Sequence, residues 1–362
     1  MEKKKQKKVI VAMSGGVDSS VATLLLKRAD FNVAGVFMKF WSAPDKKTTT
    51  RWNRCCSSEA ERRARRVAAI LDIPFYVFNF EKEFKKRIVD YFLKEYGAGR
   101  TPNPCVVCNK EIKLGLFLGK ALAMGADFVA TGHYARIRKK FVNLQQIRYS
   151  LISSKDKNKD QSYFLWQLSQ NQLRHILFPI GDYTKKEVRG LAKKFGLPVA
   201  DTPESQEICF VKNTINEFLG SYIKQKPGKI VDKSGKIIGH HQGLVFYTIG
   251  QRKGIRLSSG PYWVLEKDIK KNYLIVTKNE KDLYTKELIV KNVNWISGEA
   301  PALLLGVRVK IRYRSSLAEA KITKFGKNKY KVIFNRPQRA VAGGQSAVFY
   351  SGRELLGGGV IT

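Results

Sequence analysis

The stretch VIVAMSGGVDSS, residues 9–20, decides the fold of this chain. Its first five residues are apolar and mostly β-branched, which predicts a buried strand, and a helix is expected to begin near Ser19. Gly15 and Gly16 let the backbone turn tightly between them and approach a ligand. Because the N–H groups at the start of a helix attract anions, the unit is predicted to bind phosphate. It lacks the lysine of a GxxxxGK[S/T] loop, and an ordinary Gly-Gly turn is the alternative.

The composition favours a polyanionic partner. The chain has 362 residues, with 67 Lys and Arg against 30 Asp and Glu, a net charge of +37. Phosphate neutralisation dominates nucleic-acid affinity, so nucleic acid is the expected partner, with a general lysine bias as the alternative. The sequence has no membrane span or signal-peptide pattern, and its five cysteines suit a reducing compartment, which predicts a cytoplasmic protein. The adjacent Cys55 and Cys56 are interpreted as structural or metal-adjacent.

Up to about residue 212, predicted strands alternate with predicted helices. This order is typical of parallel βαβ units and predicts an α/β domain with a doubly wound parallel sheet. Ligands bind such sheets at the carboxyl ends of the strands. Met13, Met38 and Gly132 fall at predicted strand ends, so they should line one crevice. A helix over residues 59–71 is expected to begin with a capping box of Ser58 and Glu61.

Beyond residue 212, glycines and short β-branched segments predominate. Residues 231–237 predict a tight hairpin, and the last part of the chain contains several short alternating segments. We therefore predict three domains: a catalytic domain over 1–212, a small central mixed domain over 213–282, and a β-barrel or sandwich over 283–362.

The stretch TPNPCVVCNKEIK, residues 101–113, is the second informative part of the sequence. Its two prolines favour an extended entry, and a helix is expected to begin near Val106 or Cys108. A cysteine in the first turn of a helix feels the positive end of the helix dipole, and Lys110 and Lys113 add positive charge nearby. The stretch therefore predicts a reactive thiol.

Cys209 joins Cys105 and Cys108 as a candidate, and three interpretations of this set remain open. A zinc site normally has four ligands, so the three thiols would need His133 as the fourth. The thiols could instead be inert and buried. Redox-active or sulfur-carrying thiols are the favoured interpretation, and an iron–sulfur cluster with one open iron site falls under the same heading.

With these stretches in view, the chain resembles the tRNA-specific 2-thiouridylase family, within the PP-loop ATP pyrophosphatase superfamily. The resemblance extends from residue 9 to residue 361. It rests on motifs in a fixed order: SGGVDSS at 14–20, GVFMKFW at 35–41, GRTPNPCVVCNKEIK at 99–113, ATGHYAR at 130–136, KDQSYFL at 159–165, SQEICFV at 205–211, YTIGQRKG at 247–254 and GQSAVFY at 344–350.

The resemblance implies a PP-loop domain, a small central domain and a C-terminal β-barrel. It also implies ATP-dependent replacement of O2 of the wobble uridine by sulfur, through adenylation of that oxygen and a cysteine persulfide. The implied cofactor is ATP with Mg²⁺. The implied partners are tRNAs with wobble-uridine anticodons, of the Glu, Gln and Lys types, and a protein that donates persulfide sulfur.

The resemblance also assigns the catalytic and nucleotide-binding residues. Cys108 matches the nucleophile and Cys209 the persulfide carrier, whereas Cys105 stands where some members carry an aspartate suited to proton transfer. Either Cys105 or Cys108 could therefore be the attacking thiol, and Cys105 could also be a cluster ligand. The implied ATP-binding residues are Ala12, Met13, Ser14, Gly15, Gly16, Val17, Asp18, Ser19, Met38 and Gly132.

The implied tRNA contacts lie in four parts of the chain, and each has a plainer alternative. His133 could be a structural histidine, the lysine-rich turn at 159–161 a solvated loop, and Gln345 a turn residue. Arg312 and Tyr313 pair a cation with a ring, which suits phosphate contact and base stacking. The full set is Asn103, Pro104, Cys105, His133, Lys159, Asp160, Gln161, Arg312, Tyr313 and Gln345.

Two other functional classes compete with this interpretation. A different PP-loop ligase would act on a small carbonyl substrate, and it would have little use for the basic charge or the three cysteines. A non-catalytic RNA-binding or sulfur-carrier protein would have no need of the intact SGGVDSS loop.

Overall fold

The structure is a computed structural model that describes residues 6–44, 51–52, 57–141, 147–203, 208–301 and 306–362. In its N-terminal part the strands are β1 Lys8–Ala12, β2 Asn32–Lys39, β3 Ala43–Pro44, β4 Arg51–Trp52, β5 Phe75–Asn79, β6 Phe128–Thr131, β7 Ala135–Phe141, β8 Ile147–Ser153 and β9 Ile176–Leu177. The helices of the same part are α1 Val17–Arg28, α2 Ser58–Ile70, α3 Glu81–Phe84, α4 Asp90–Gly97, α5 Pro104–Cys108, α6 Phe117–Ala123, α7 Gln170–Leu173 and α8 Lys185–Lys194. A 3₁₀ turn covers Ser162–Leu165.

Five of these strands form a parallel sheet in the order β5-β2-β1-β6-β9, which confirms the predicted α/β class. The central strand β1 is buried on both faces, as expected of a parallel sheet covered by helices. Ile10 and Ala12 contribute to one hydrophobic cluster, and Val9 and Val11 contribute to the other. The glycine-rich loop therefore leaves the sheet from a strand that is buried on both faces.

The helices depart from the prediction in two places. The cap of α2 is Ser57, whose hydroxyl accepts a hydrogen bond from the Ala60 N–H at 3.1 Å. The predicted cap, Ser58, is instead the first residue of the helix, so that prediction was wrong by one position. Segments of π-helix, Lys85–Val89 and Asn109–Leu116, make continuous helices of α3 with α4 and of α5 with α6.

The central part of the chain contains a small mixed sheet. It follows helix α9 Ile215–Tyr222. Its strands are β10 Gly228–Val231, β11 Ile237–His241, β12 Trp263–Asp268 and β13 Tyr273–Thr277, paired in the order β11-β10-β13-β12. The predicted hairpin at 231–237 is confirmed by the antiparallel pairing of β10 with β11. Short 3₁₀ turns cover Leu244–Phe246 and Glu280–Leu283.

The C-terminal part is a closed six-stranded antiparallel barrel. Its strands are β14 Tyr284–Trp295, β15 Val307–Lys310, β16 Ala318–Gly326, β17 Lys329–Arg339, β18 Ser346–Ser351 and β19 Glu354–Ile361. They pair in the order β14-β17-β16-β15-β18-β19, and the pairing of β14 with β19 closes the barrel.

The hairpin β7–β8 comes from the N-terminal part of the chain but extends the sheet of the barrel. Ile152 and Leu151 of β8 pair with Glu354 and Leu355 of β19. The junction is sealed by Trp166, which is fully buried and donates its indole N–H to the Ser346 hydroxyl at 3.0 Å. The barrel is therefore joined to the sheet domain through backbone pairing as well as side-chain packing.

Candidate active site

The glycine-rich loop between β1 and α1 is closed by its own serines. The Ser14 N–H donates to the Ser19 hydroxyl at 3.2 Å, and that hydroxyl lies 3.1 Å from the Gly16 carbonyl, to which it donates. Gly15 has a φ of +73°, and a Cβ there would lie 2.1 Å from the Ala60 carbonyl oxygen. Only glycine fits this position, because helix α2 packs directly against the loop.

The predicted nucleotide residues meet at one edge of the sheet. Met13 follows β1 and donates its N–H to the Val36 carbonyl of β2 at 2.8 Å. Gly132 follows β6, and a Cβ there would lie 2.6 Å from the Ser19 nitrogen at the start of α1. Met38 lies near the end of β2 and is buried. The loop, Met38 and Gly132 thus occupy the carboxyl ends of three adjacent strands, where α/β sheets bind ligands.

Asp18, in the first turn of α1, is held by two partners from distant parts of the chain. The Lys185 ammonium lies 2.7 and 2.8 Å from its two carboxylate oxygens, and the Tyr134 hydroxyl donates to it at 2.8 Å. Tyr134 is fixed in turn by Gln161, whose side-chain oxygen accepts from the Tyr134 N–H at 3.0 Å. Gln161, predicted as a tRNA contact, thus supports Tyr134 and through it Asp18, and its contact with tRNA stays a prediction.

Lys185 and Tyr134 were not among the predicted site residues. Tyr134 lies next to the predicted pair Gly132 and His133, and a hydroxyl at a strand end was the available signal. Lys185 opens α8 behind Thr184, whose capping box with Glu187 was correctly predicted. Nothing in the local sequence around Lys185 indicates that this helix faces the loop.

The thiol helix α5, which carries Cys105 and Cys108, begins at Pro104, before the predicted start near Val106 or Cys108. Asn103 caps it, with its side-chain oxygen accepting from the Val106 N–H at 3.4 Å, and Pro104 occupies the first helical position. Cys105 is exposed in the first turn, whereas Cys108 is buried. The helix therefore turns one thiol toward solvent and the other into the protein.

Cys108 and Cys209 contact the same hydrophobic cluster. Cys108 belongs to its buried core, and the half-buried Cys209 packs against it. The predicted nucleotide residues Ala12 and Met38 belong to this cluster too. The nucleotide edge and these two cysteines thus share one side of the sheet.

The structure gives no support to a metal centre on these thiols. Within the described ranges, no group of three or more His, Cys, Asp or Glu side chains could hold a metal ion. The iron–sulfur cluster left open by the sequence on Cys105, Cys108 and Cys209 therefore lacks a ligand set. Cys55 and Cys56 lie outside the described residues.

The segment that leads into α5 is held by both other parts of the chain. The Thr101 N–H donates to the Gly343 carbonyl at 2.9 Å, and the Gln345 amide donates to the Thr101 carbonyl at 2.8 Å. The Thr101 hydroxyl lies 3.2 Å from that of Thr248 in the central part. Gln345, predicted as a tRNA contact, thus supports the thiol helix from the barrel, and its contact with tRNA stays a prediction.

The other predicted tRNA contacts differ in how far they reach solvent. His133 is only 9% exposed, with Nδ1 2.6 Å from the Thr131 hydroxyl, and burial together with the charge of Lys113 lowers its pKa to about 3. Asp160 is also buried and accepts from the Ser162 hydroxyl at 2.8 Å. These surroundings suit structural roles, and direct contact of either residue with tRNA stays a prediction.

Arg312 and Tyr313 follow strand β15 at the rim of the barrel. Arg312 is exposed, and the half-buried Tyr313 ring packs against Phe164 at 4.4 Å between ring centroids. The barrel thus presents a cation at the surface beside a ring that is anchored to the sheet domain.

Together, the doubly wound sheet, the glycine-rich loop at its central strand and the appended barrel define a PP-loop nucleotide-binding protein. Three family models match the chain: the tRNA methyl transferase HUP domain over residues 7–213, the tRNA methyl transferase PRC-barrel domain over residues 216–278, and the aminomethyltransferase beta-barrel domain over residues 285–361. The chain belongs to the family of tRNA-specific 2-thiouridylases, as its curated relatives establish.

Two of these relatives illustrate the similarity. The tRNA-specific 2-thiouridylase MnmA of Lachnoclostridium phytofermentans is 47% identical, over 98% of this chain and 99% of that protein. The tRNA-specific 2-thiouridylase MnmA 1 of Caldanaerobacter subterraneus is 49% identical, over 98% of this chain and 97% of that protein. The chain therefore spans nearly the whole length of these relatives.

Similarity to solved structures is more distant. A 4-thiouridine synthetase in complex with RNA and bound ATP matches with a TM-score of 0.34 and 16% identity, over 59% of this chain and 50% of that chain. An NMN synthetase from Francisella tularensis matches with a TM-score of 0.32 and 16% identity, over 56% of this chain and 67% of that chain. Neither match is close enough to carry an argument. Within the described part of the chain, no helix has the length and apolar character that crossing a membrane requires.

Proposed function

We propose that this protein is a tRNA uridine 2-sulfurtransferase that uses ATP to replace O2 of the wobble uridine by sulfur. The observation that carries the proposal is the shared cluster beneath the site: Ala12 and Met38 of the nucleotide edge pack in the same core as Cys108, and Cys209 packs against it. An activating nucleotide and sulfur-bearing side chains on one side of a sheet suit a reaction that needs both.

The first step activates the uridine. Oxygen is a poor leaving group from C2 of uracil, so O2 attacks the α-phosphorus of ATP and pyrophosphate leaves. The start of α1 and the loop N–H groups suit the phosphates, because a helix N-terminus stabilises negative charge. Mg²⁺ commonly bridges one or two carboxylates and substrate phosphates. Asp18 is the residue that would hold it here.

The second step transfers sulfur. The terminal sulfur of a persulfide on Cys209 attacks C2, and AMP leaves with the former O2, which forms a disulfide between the uridine sulfur and Cys209. The Cys108 thiolate then attacks Cys209 Sγ, which releases 2-thiouridine and leaves a Cys108–Cys209 disulfide. Two electrons from the cysteine pair are used, so an external thiol reductant must restore both thiols.

The attacking thiol has a second candidate. Cys105 is exposed, whereas Cys108 is buried, so Cys108 needs a local opening to meet Cys209 and the base. Cys105 stands next to Asn103 and Pro104, which we assign to the segment that meets the target uridine. We keep Cys108 as the nucleophile, because it belongs to the core against which Cys209 packs, and Cys105 as the alternative.

The remaining partners are those that the family resemblance implies. The sulfur arrives from a persulfide-donating protein, and the substrates are tRNAs with wobble uridines, of the Glu, Gln and Lys types. We place the reaction in the cytoplasm, where thiols stay reduced. We assign Lys159, Arg312 and Tyr313 to contacts with the tRNA.

The test is an assay with ATP, a persulfide-donating protein, a thiol reductant and unmodified tRNA, followed by nucleoside digestion and mass analysis. The wild-type protein should produce 2-thiouridine. Absence of the thiolated nucleoside, with ATP turnover that ignores tRNA, would contradict the proposal.

Three serine variants locate the sulfur steps. With persulfide supplied by a donor protein, Cys209→Ser should lose both persulfide labelling and thiolation. It should still transfer AMP from ATP to the uridine of the tRNA. Cys108→Ser should retain the persulfide but lose release of 2-thiouridine. Cys105→Ser, the matched variant on the same helix, should retain both. If Cys105→Ser loses product release and Cys108→Ser retains it, the nucleophile assignment moves to Cys105.

A further inference from the structure

We propose that the cavity between helix α5 and the barrel binds a nucleobase, at a site separate from the thiols. This rests on the proposed function, because a bound tRNA is the expected source of that base. The cavity has a volume of about 430 Å³, and its walls come from α5, from the chain after the 3₁₀ turn at Ser162–Leu165 and from the barrel. Pockets for small ligands commonly measure about 300–1,000 Å³.

The cavity lies on the side of α5 that faces away from the thiols. Asn103, Val107 and Lys110 line it and recur every three to four residues, so they share one face of the helix. Cys105 and Cys108 fall on the opposite face, and neither of them lines the cavity. The cavity is therefore distinct from the place where the proposed sulfur transfer occurs.

The lining of the cavity is apolar where it is buried and polar where it reaches solvent. Trp166 and Val106 are among its buried lining residues, whereas Lys110, Asn292 and Asn328 are exposed. Proteins that bind unpaired RNA bases cover the flat faces of the base with apolar or aromatic groups and pair its edges with polar ones. The cavity offers both kinds of surface to a planar ligand.

Carboxamides make up much of the polar lining. They are the side chains of Asn103, Gln167, Asn292, Asn294 and Asn328. Each carboxamide has both donors and an acceptor, the combination that pairs with the edge of a base.

Gln167 supplies an acceptor that the protein itself does not use. Its Oε1 atom is buried and has no hydrogen-bond partner among the described residues. The neighbouring Asn294 is already engaged, since its amide donates to the Trp166 and Leu168 carbonyls at 2.7 and 3.1 Å. A buried acceptor without a partner costs free energy, which an N–H donor of a ligand would offset. Each of the four RNA bases carries such an N–H group on its pairing edge.

The charge of the cavity argues against a phosphate as the ligand. Among the described residues that line it, only Lys110 and Glu111 are charged, and their charged groups lie 3.8 Å apart. The lining is therefore close to neutral, although the whole chain carries a net charge of +37. Phosphates bind at helix N-termini or beside arginine and lysine, whereas a neutral base suits these surroundings.

A cavity that only separates the barrel from α5 makes a different prediction. Filling it would change the affinity for every tRNA to the same extent, because no base would depend on it. A base-binding cavity would instead couple the filling of the cavity to the presence of one particular base.

The experiment measures, by fluorescence anisotropy, how the full-length protein binds unmodified tRNA and tRNAs that each lack one unpaired base. Val107→Trp fills the cavity, and Gln167→Leu removes the unpartnered oxygen at similar side-chain size and serves if the tryptophan variant does not fold. One abasic position other than the wobble position should weaken binding to the wild type about tenfold. Both variants should bind intact tRNA about tenfold more weakly, and the same abasic position should then cost nothing further.

The matched control is Ile223→Trp. Ile223 and Val107 are both half-buried and pack against the same hydrophobic cluster, but Ile223 does not line the cavity. Ile223→Trp should therefore respond to every abasic tRNA as the wild type does. A second set of measurements uses saturation-transfer NMR with free uridine, cytidine, adenosine and guanosine. It distinguishes a free nucleoside from a base of the tRNA as the source of the ligand.

The outcomes separate this site from the proposed function. A nucleoside that binds the wild type and Ile223→Trp but not Val107→Trp would support the nucleobase site, with a free nucleoside as its source if no abasic position matters. The site is overturned if no abasic position other than the wobble position distinguishes the wild type from the cavity variants and no nucleoside binds there. Formation of 2-thiouridine by the same wild-type protein would leave the proposed function intact. Failure of the wild type to bind tRNA would contradict the proposed function, and the nucleoside measurements would then decide on the cavity.

Discussion

At the scale of single residues, the nucleotide edge depends on positions where backbone occupies the space of a side chain. Gly15 and Gly132 both lie where a Cβ would clash with backbone atoms, of α2 in the first case and of α1 in the second. Helices α1 and α2 therefore approach this edge more closely than a side chain at either glycine would allow. This close approach explains why glycine occupies both positions, and Gly15 also adopts a positive φ of +73°.

Gly132→Ala should disrupt this approach. The new Cβ would lie 2.6 Å from the Ser19 nitrogen, which backbone movement must relieve at a cost of about 1–3 kcal/mol. We expect ATP affinity to fall about tenfold or more, measured by calorimetry, with a lower midpoint in urea unfolding. Gly119→Ala is the matched control, since a Cβ there would meet nothing within 4 Å. Equal ATP affinity of the two variants would contradict the close packing of β6 on α1.

His133 should make the folded protein less stable in acid. Its pKa falls from 6.5 to about 3 in the folded state, first through burial and then through Lys113. Between these two pKa values His133 is protonated in the unfolded chain but neutral in the folded protein. The free energy of unfolding therefore rises with pH in this range. Within that window the free energy of unfolding should fall by about 1.4 kcal/mol for each unit of acidification.

The check is urea unfolding at several pH values for wild type and His133→Asn. The variant should show a shallower loss of stability in acid, because it removes the buried titrating group. His240→Asn removes an exposed histidine and should leave the wild-type slope unchanged. An unchanged slope in His133→Asn would show that His133 does not resist protonation in the folded protein.

At the scale of elements, the short helix α5 depends on contacts from outside its own domain. Thr101, which precedes the helix, forms hydrogen bonds with the backbone of Gly343, the amide of Gln345 and the hydroxyl of Thr248. A helix of five residues is not stable alone, so its position is set by these contacts and by its continuation into Asn109–Leu116. The barrel and the central part thus fix where the thiols lie.

Gln345→Ala should separate the support of α5 from nucleotide binding. The substitution removes hydrogen bonds to the Thr101 and Pro102 carbonyls, each worth about 1 kcal/mol. We expect the rate of thiolation to fall several-fold while ATP affinity is unchanged. Gln338→Ala, whose amide donates to the Arg336 and Pro337 carbonyls within its own strand, is the control. A parallel loss of ATP affinity in Gln345→Ala would contradict this division.

Local patterns predicted most elements but not the contacts between distant ones. The buried strand β1 and the capping box of Thr184 with Glu187 are visible in neighbouring residues, and both are confirmed. The hairpin β7–β8 was not predicted as part of the barrel sheet, because its partner β19 lies some two hundred residues away. Lys185 was not predicted as a site residue for the same reason, since only the fold brings it to Asp18.

The position of the α2 cap shows the limit of short-range rules. Ser57 and Ser58 are both suitable caps, and the Ser58–Glu61 spacing favours the second. The structure uses Ser57, which places α2 one residue earlier against the loop. Helix α2 packs on Gly15 through the Ala60 carbonyl, a contact that short-range rules do not include.

At the scale of the whole molecule, the net charge of +37 is a property of the surface rather than of the site. A polyanion as large as a tRNA can meet many of these charges at once. Because counterions leave the nucleic acid on binding, affinity for tRNA should depend steeply on salt.

Between about 50 and 200 mM salt, affinity for tRNA should fall roughly a thousandfold if six or more phosphates are contacted. Filter binding or fluorescence anisotropy would measure it. Arg312→Ala should reduce the slope of log affinity against log salt by about one. A flat salt response would place the positive charge away from the tRNA interface.

The central claim is that ATP activates the uridine oxygen that sulfur replaces, and the fate of that oxygen tests it most directly. The substrate is an unmodified tRNA in which O2 of the wobble uridine is labelled with oxygen-18. After thiolation by the wild-type protein, mass spectrometry of the nucleotides should find the label in AMP, with one AMP formed for each 2-thiouridine. Label in pyrophosphate or in water, or thiolation without formation of AMP, would contradict the account.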